Sequence, residues 1–169
     1  MHTDELIATG RRLVRRFGTR DPFQIASGLG IELMFRDDFG PLKGMYRQIM
    51  RNRFIFINAQ LPEPLQKIVC AHELGHDQLH RHLIAESSAM YEFMLYDMTA
   101  KPEYEANVVA AEILLDDEEM LEYIRYGYSD GQIAAAMQTD RNLVALKAAK
   151  LRREGYALRE TEHRSDFLK

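Results

Sequence analysis

Residues 64–81 read Pro64-Leu65-Gln66-Lys67-Ile68-Val69-Cys70-Ala71-His72-Glu73-Leu74-Gly75-His76-Asp77-Gln78-Leu79-His80-Arg81, and the period of this stretch decides the fold. Leu65, Ile68 and Val69 fall at the spacing of one helix face, and no proline interrupts the run after Pro64. Pro62, Glu63 and Pro64 suit a helix N-terminus, where a missing N–H costs nothing and a carboxylate meets the positive end of the dipole. A helix over 64–81 follows. Gly75 is a poor helix former in mid-run, at ~1 kcal/mol relative to Ala, so its presence predicts the close approach of another helix or a cleft.

On such a helix His72 and His76 stack on one face about 6 Å apart along the axis. Two imidazoles in that relation can grip one metal ion from adjacent turns, and His72-Glu73-Leu74-Gly75-His76 is an HExxH motif. Glu73 stands beside the pair as a neighbour to the ion's water and is the candidate general base for metal-assisted hydrolysis. A catalytic zinc (Zn2+) takes three protein ligands and keeps one position open, so a third ligand must come from elsewhere. His80 lies ~12 Å along the axis from His72, too far to share the ion, and with His82 it is expected to form a polar pair at the helix end. Cys70, in the run Ile68 to Ala71, is expected to be a small buried residue.

Glu103 is the third candidate, because it opens a helix far enough downstream for a loop to return and pack that helix against the first. Asn107 falls on the same face one turn later, where it can hydrogen-bond a ligating histidine and fix its tautomer. Glu105 and Glu112 point roughly 200° and 180° round the helix from Glu103, so one acid of the three can face the ion.

The HExxH segment followed by Glu103-Tyr104-Glu105-Ala106-Asn107-Val108-Val109-Ala110-Ala111-Glu112-Ile113-Leu114-Leu115 resembles the ImmA/IrrE-type metallopeptidases. The likeness covers roughly residues 20–120 and includes the Asp21-Pro22-Phe23 entry and the strands before the helix. It implies a gluzincin-like zinc endopeptidase with His72, His76 and Glu103 on the metal and Glu73 as general base. It further implies a protein substrate, a helix-turn-helix repressor encoded nearby in a mobile element or stress-response circuit, whose cleavage releases transcription. Val109 and Asp116-Asp117 depart from the family pattern of Phe and Met-Pro, and are expected to be variants at packing positions.

Outward from the motif helix, the period is again helical over 4–17, and Asp21-Pro22 opens a short second helix. Residues 31–35, 44–49 and 54–58 alternate as strands and predict a small antiparallel sheet packed beside the HExxH helix. Residues 84–102, rich in Met and aromatics, suit core packing or the lining of a cleft, and Lys101-Pro102 is expected to close them before helices over 103–115 and 117–126. The class is α+β and mainly helical.

Ser129 to Lys147 has the layout of a helix-turn-helix, with Ser129 as cap, Ile133 and Ala134 inward and Val144 anchoring the second helix. Lys147, Lys150, Arg152 and Arg153 make that helix basic. A hairpin packing on the peptidase or docking a protein fits better than direct DNA reading, since the net charge is −4 and no second arm is evident. The expected division is a metallopeptidase domain over 1–126, the helix-turn-helix-like segment over 127–156 and a flexible tail over 157–169. A regulatory DNA- or protein-binding module with a structural or vestigial zinc remains the alternative.

At 46% hydrophobic and 28% charged residues, with one cysteine and no long apolar run, the composition predicts a soluble cytoplasmic protein without membrane contact or disulfides. Self-association is not legible.

Overall fold

The computed structural model describes residues 2–81 and 101–158. Helix α1, Thr3–Phe17, ends where Gly18 takes a left-handed φ of 65° and returns its N–H to the Val14 carbonyl. Helix α2, Pro22–Gly28, starts as expected, with the Asp21 carboxylate accepting from the Phe23 N–H at 2.9 Å.

Three strands follow: β1 (Ile31–Arg36), β2 (Gly44–Ile49) and β3 (Asn52–Asn58). They form one sheet in the order β1-β3-β2, and here the expectation of an antiparallel sheet needs correction. β2 and β3 are an antiparallel hairpin, but β1 runs parallel to β3 and does not pair with β2. The reason is hydrophobic. β3 carries Phe54, Ile55, Phe56 and Ile57, and Ile55 and Ile57 are fully buried, so the most apolar strand takes the centre. The β1–β2 connection therefore passes over the sheet's end, where Asn58 donates to the carbonyls of Gly40 and Leu42.

Helix α3, Glu63–Leu79, lies against the sheet's inner face and carries the HExxH motif. Its partner is α4, Lys101–Leu114, which Lys101 and Pro102 begin rather than precede. Residues 82–100, with the Met- and aromatic-rich stretch and His82, lie outside the described residues, as do residues 159–169.

Helix α4 is the centre of the molecule. From Glu105 to Ile113 every residue is buried, against α3 on one side and α1 and α7 on others. Its C-terminus is held by Arg20, which donates to the carbonyls of Glu112, Ile113 and Leu115 and pairs with Asp116 at 2.8 Å. Helices α5 (Asp117–Arg125), α6 (Asp130–Ala136) and α7 (Arg141–Arg153) complete the fold. Ser129 forms a capping box with Gln132, as its position suggested.

Two expectations about this half change. Lys147 and Lys150 of α7 do not face solvent; they are 1% and 5% exposed. Lys147 Nζ lies 2.9 Å from Glu112 and 2.6 Å from Asp117, and Lys150 pairs with Asp117 and Glu154, with Arg11 of α1 closing the cluster. Nor is Asp116-Asp117 a packing variant. Asp116 caps α5, accepting from Glu118 and Glu119, while Asp117 receives both lysines. The helical class stands, with α7 joined to α4 by buried charge.

Candidate metal centre

The site forms where α3 crosses α4. Gly75 makes the crossing close, since a Cβ on it would press on the backbone of Ala106. That contact places the first turn of α4 over the two motif histidines.

His72, His76 and Glu103 come together, as their spacing suggested. Their ligand atoms all lie within 4.8 Å of one another and all three side chains are buried. His72 Nε2 is 3.0 Å from His76 Nε2 and 3.0 Å from Glu103 Oε2, and His76 Nε2 is 3.2 Å from Glu103 Oε1. Asn107, one turn beyond Glu103, meets His72 Nδ1 through its Oδ1 at 2.9 Å.

The hydrogen atoms follow from these contacts. A carbonyl oxygen accepts, so His72 Nδ1 donates to Asn107, and a ring in that tautomer turns its Nε2 lone pair toward Glu103 and His76. Glu103 Oε2, buried and 3.0 Å from His72 Nε2, has no hydrogen-bond partner among the described residues. A buried carboxylate oxygen facing an imidazole lone pair is unfavourable unless a cation lies between them. The donor set, two imidazoles and one carboxylate, suits zinc with one position left open. The residues fit a metal ion.

Burial raises the Glu103 carboxyl, but the two imidazoles outweigh it and hold the group down at about 2, so Glu103 is ionised. At His72, burial pulls the pKa down and the Glu103 carboxylate more than reverses it. At His76 burial prevails and the pKa falls, since two rings this close do not both take a proton. The site attracts positive charge yet resists holding it as two protons.

Glu73 is 1% exposed. Burial raises its carboxyl, and with Glu103 nearby and His72 and a backbone hydrogen bond from Tyr46 opposing, it stands at about 7. Its Oε1 has no hydrogen-bond partner among the described residues.

His80 and Glu105 are the pair that sequence reasoning missed. His80 is not a polar group at an open helix end: it is 3% exposed, with Nδ1 3.1 Å from His76 Nδ1 and Nε2 2.9 Å from Glu105 Oε2. The signal was present in the HxxxHxxxH spacing, which puts a third imidazole on the same face. Glu112 points away from the site toward Lys147, as its angle required. Cys70 is buried, and burial raises its thiol well above the usual range, so it is inert.

A helix-borne imidazole pair faced by a glutamate from a second buried helix is the arrangement of HExxH metal-site proteins. Residues 26–148 match the peptidase M78 family, described as the IrrE N-terminal-like domain, and the chain belongs to that family. It is 33% identical over 140 residues to the uncharacterised immunity region protein 2 of Bacillus phage phi105, covering 83% of this chain and 87% of that one. It is 31% identical over 127 residues to metallopeptidase ImmA of Bacillus subtilis strain 168, covering 73% of this chain and 72% of that one. No helix among the described residues is long and apolar enough to cross a membrane.

Proposed function

We propose that this chain is a zinc-dependent endopeptidase with Glu73 as general base, acting on a helix-turn-helix transcriptional repressor. The observation that carries the reading is the convergence of His72 Nε2, His76 Nε2 and both oxygens of Glu103, with a base poised beside them. A zinc ion held there would polarise a peptide carbonyl and lower the pKa of a water toward neutrality.

The chain's own residues supply the remainder. His72, His76 and Glu103 bind through nitrogen lone pairs and a carboxylate. Asn107 orients the His72 ring. Glu73, near neutrality by burial, can take a proton at its carboxylate and pass it to a leaving amine, and its Oε1 keeps that capacity uncommitted. The repressor substrate is supported by the family likeness and by the immunity-region name of the phage relative. A cytoplasmic setting belongs to the same reading. The alternative of a DNA-binding module draws less support, because Lys147 and Lys150 are engaged with Glu112, Asp117 and Glu154.

The test pairs metal analysis with cleavage of a helix-turn-helix repressor, taken from the gene's neighbourhood where one is encoded there. Wild type should bind one zinc and cut, Glu73→Gln should bind zinc and not cut, and His72→Ala should lose the metal. Zinc retained in full by His72→Ala refutes the ligand assignment.

A further inference from the structure

A second line of contacts leads out of the site. His76 Nδ1 faces His80 Nδ1 at 3.1 Å, and His80 Nε2 faces Glu105 Oε2 at 2.9 Å. His80 and Glu105 are 3% and 6% exposed, so no bulk water competes for these atoms. The second oxygen of Glu105 looks toward Lys101, 4.0 Å away.

Where no metal ion would bridge them, as one would bridge the Nε2 atoms of His72 and His76, two ring nitrogens at hydrogen-bond distance need one hydrogen between them, because two lone pairs repel and two N–H groups collide. Glu105 decides which ring supplies it. An ionised carboxylate only accepts, so His80 Nε2 must donate, and in that tautomer His80 presents a lone pair at Nδ1. The hydrogen between the rings therefore belongs to His76 Nδ1. His76 Nε2 is left as a lone pair, directed at Glu103 and His72.

We infer that His80 and Glu105 are positioning residues that hold His76 as its Nδ1–H tautomer and so aim its Nε2 at the metal ion. The two histidine ligands are thus oriented by different devices. Asn107 presents an amide carbonyl to His72, while His76 is governed by an imidazole that is itself set by a carboxylate. The two devices use opposite faces of one helix: Glu103 and Asn107 line one side of α4, and Glu105 reaches round the other to His80, the C-cap of α3.

The inference rests on the metal-site reading, and the experiment separates the two. Zinc affinity is measured by chelator competition on wild type, His80→Leu and His80→Gln, each checked for fold by circular dichroism. His80→Leu should bind zinc ~10–100-fold more weakly, the usual effect of losing a partner behind a ligand. His80→Gln should recover most of that loss, since its amide carbonyl can accept from His76 Nδ1. Equal affinity in wild type and His80→Leu overturns the inference alone; wild type that binds no zinc overturns the metal site with it.

Should His80→Leu fail to fold, the wild-type chain decides. Long-range 1H–15N spectra of the zinc-loaded protein should show His76 protonated at Nδ1 and His80 protonated at Nε2. A proton on His80 Nδ1 overturns the inference.

Discussion

A Cβ built on Gly75 of α3 would lie 2.7 Å from the Cα of Ala106 and 2.8 Å from its carbonyl oxygen, both backbone atoms of α4. A backbone cannot rotate aside as a side chain can. Gly75→Ala must therefore push α4 outward, and Glu103, one turn earlier on α4, moves with it. Alanine's better helix propensity returns ~1 kcal/mol, against ~1–3 kcal/mol for overpacking. The expected result is a less stable protein with weaker zinc binding, read by urea denaturation and zinc titration. An alanine variant more stable than wild type with unchanged zinc affinity would show that the crossing has room.

Asn107 accepts from His72 Nδ1 at 2.9 Å. Asn107→Ala removes that acceptor and should weaken zinc binding ~10–100-fold, while Asn107→Asp, which keeps an oxygen in place, should not. At free zinc of 100 times the wild-type Kd, the ion stabilises wild type by about 2.7 kcal/mol, and the alanine variant should show about 1.3–2.3 kcal/mol less. A chelator should bring both to their metal-free stability. If Asn107→Ala keeps the full zinc-dependent rise in Tm, the hydrogen bond does not orient His72.

Much of this site was legible because helical spacing is geometry. His72 and His76 had to share a face, Glu103 and Asn107 had to share another, and Gly75 announced a close neighbour before any neighbour was known. What the residues could not reveal is pairing across long loops. β1 prefers β3 because of which strand is most apolar, a competition among three segments that no single segment displays. His80 read as half of a helix-end pair with His82 because its partner Glu105 stands on another helix, 25 residues away in sequence. Lys147 and Lys150 looked like a basic face for the same reason: Glu112 and Asp117 are far off in the chain and adjacent in the fold.

Those lysines lead to a prediction about the C-terminal helices. Lys147 is 1% exposed and sits between Glu112 and Asp117, so Lys147→Met leaves the buried Glu112 with Arg11, whose Nε is 3.5 Å away. Removing one partner of a buried pair costs ~3–5 kcal/mol, and because Arg11 stays, the loss should fall at the low end. The double variant Lys147→Met with Glu112→Gln should regain part of it. Zinc affinity should be unchanged, since Glu112 points away from the metal centre. A destabilisation under ~0.5 kcal/mol, the range of ordinary surface changes, would place Lys147 in solvent.

Glu73 should make the metal-free protein less stable at neutral pH. Its folded pKa is raised by burial from 4.5 to about 7, so the folded state disfavours the ionised carboxylate. The sign follows from linkage: the stability associated with the protonated group is fully present below about pH 4.5 and is lost as pH rises toward 7. At 1.36 kcal/mol per unit the loss is roughly 3 kcal/mol. Glu73→Gln is neutral throughout and can keep the backbone hydrogen bond from Tyr46, so it escapes the loss. In chelator, the glutamine variant should be more stable than wild type at pH 7.5 by roughly 3 kcal/mol, and the two should converge near pH 4. Parallel stability curves from pH 5 to 8 would mean that Glu73 is hydrated in the folded state, and a hydrated carboxylate would lack the raised proton affinity that a general base at neutral pH requires.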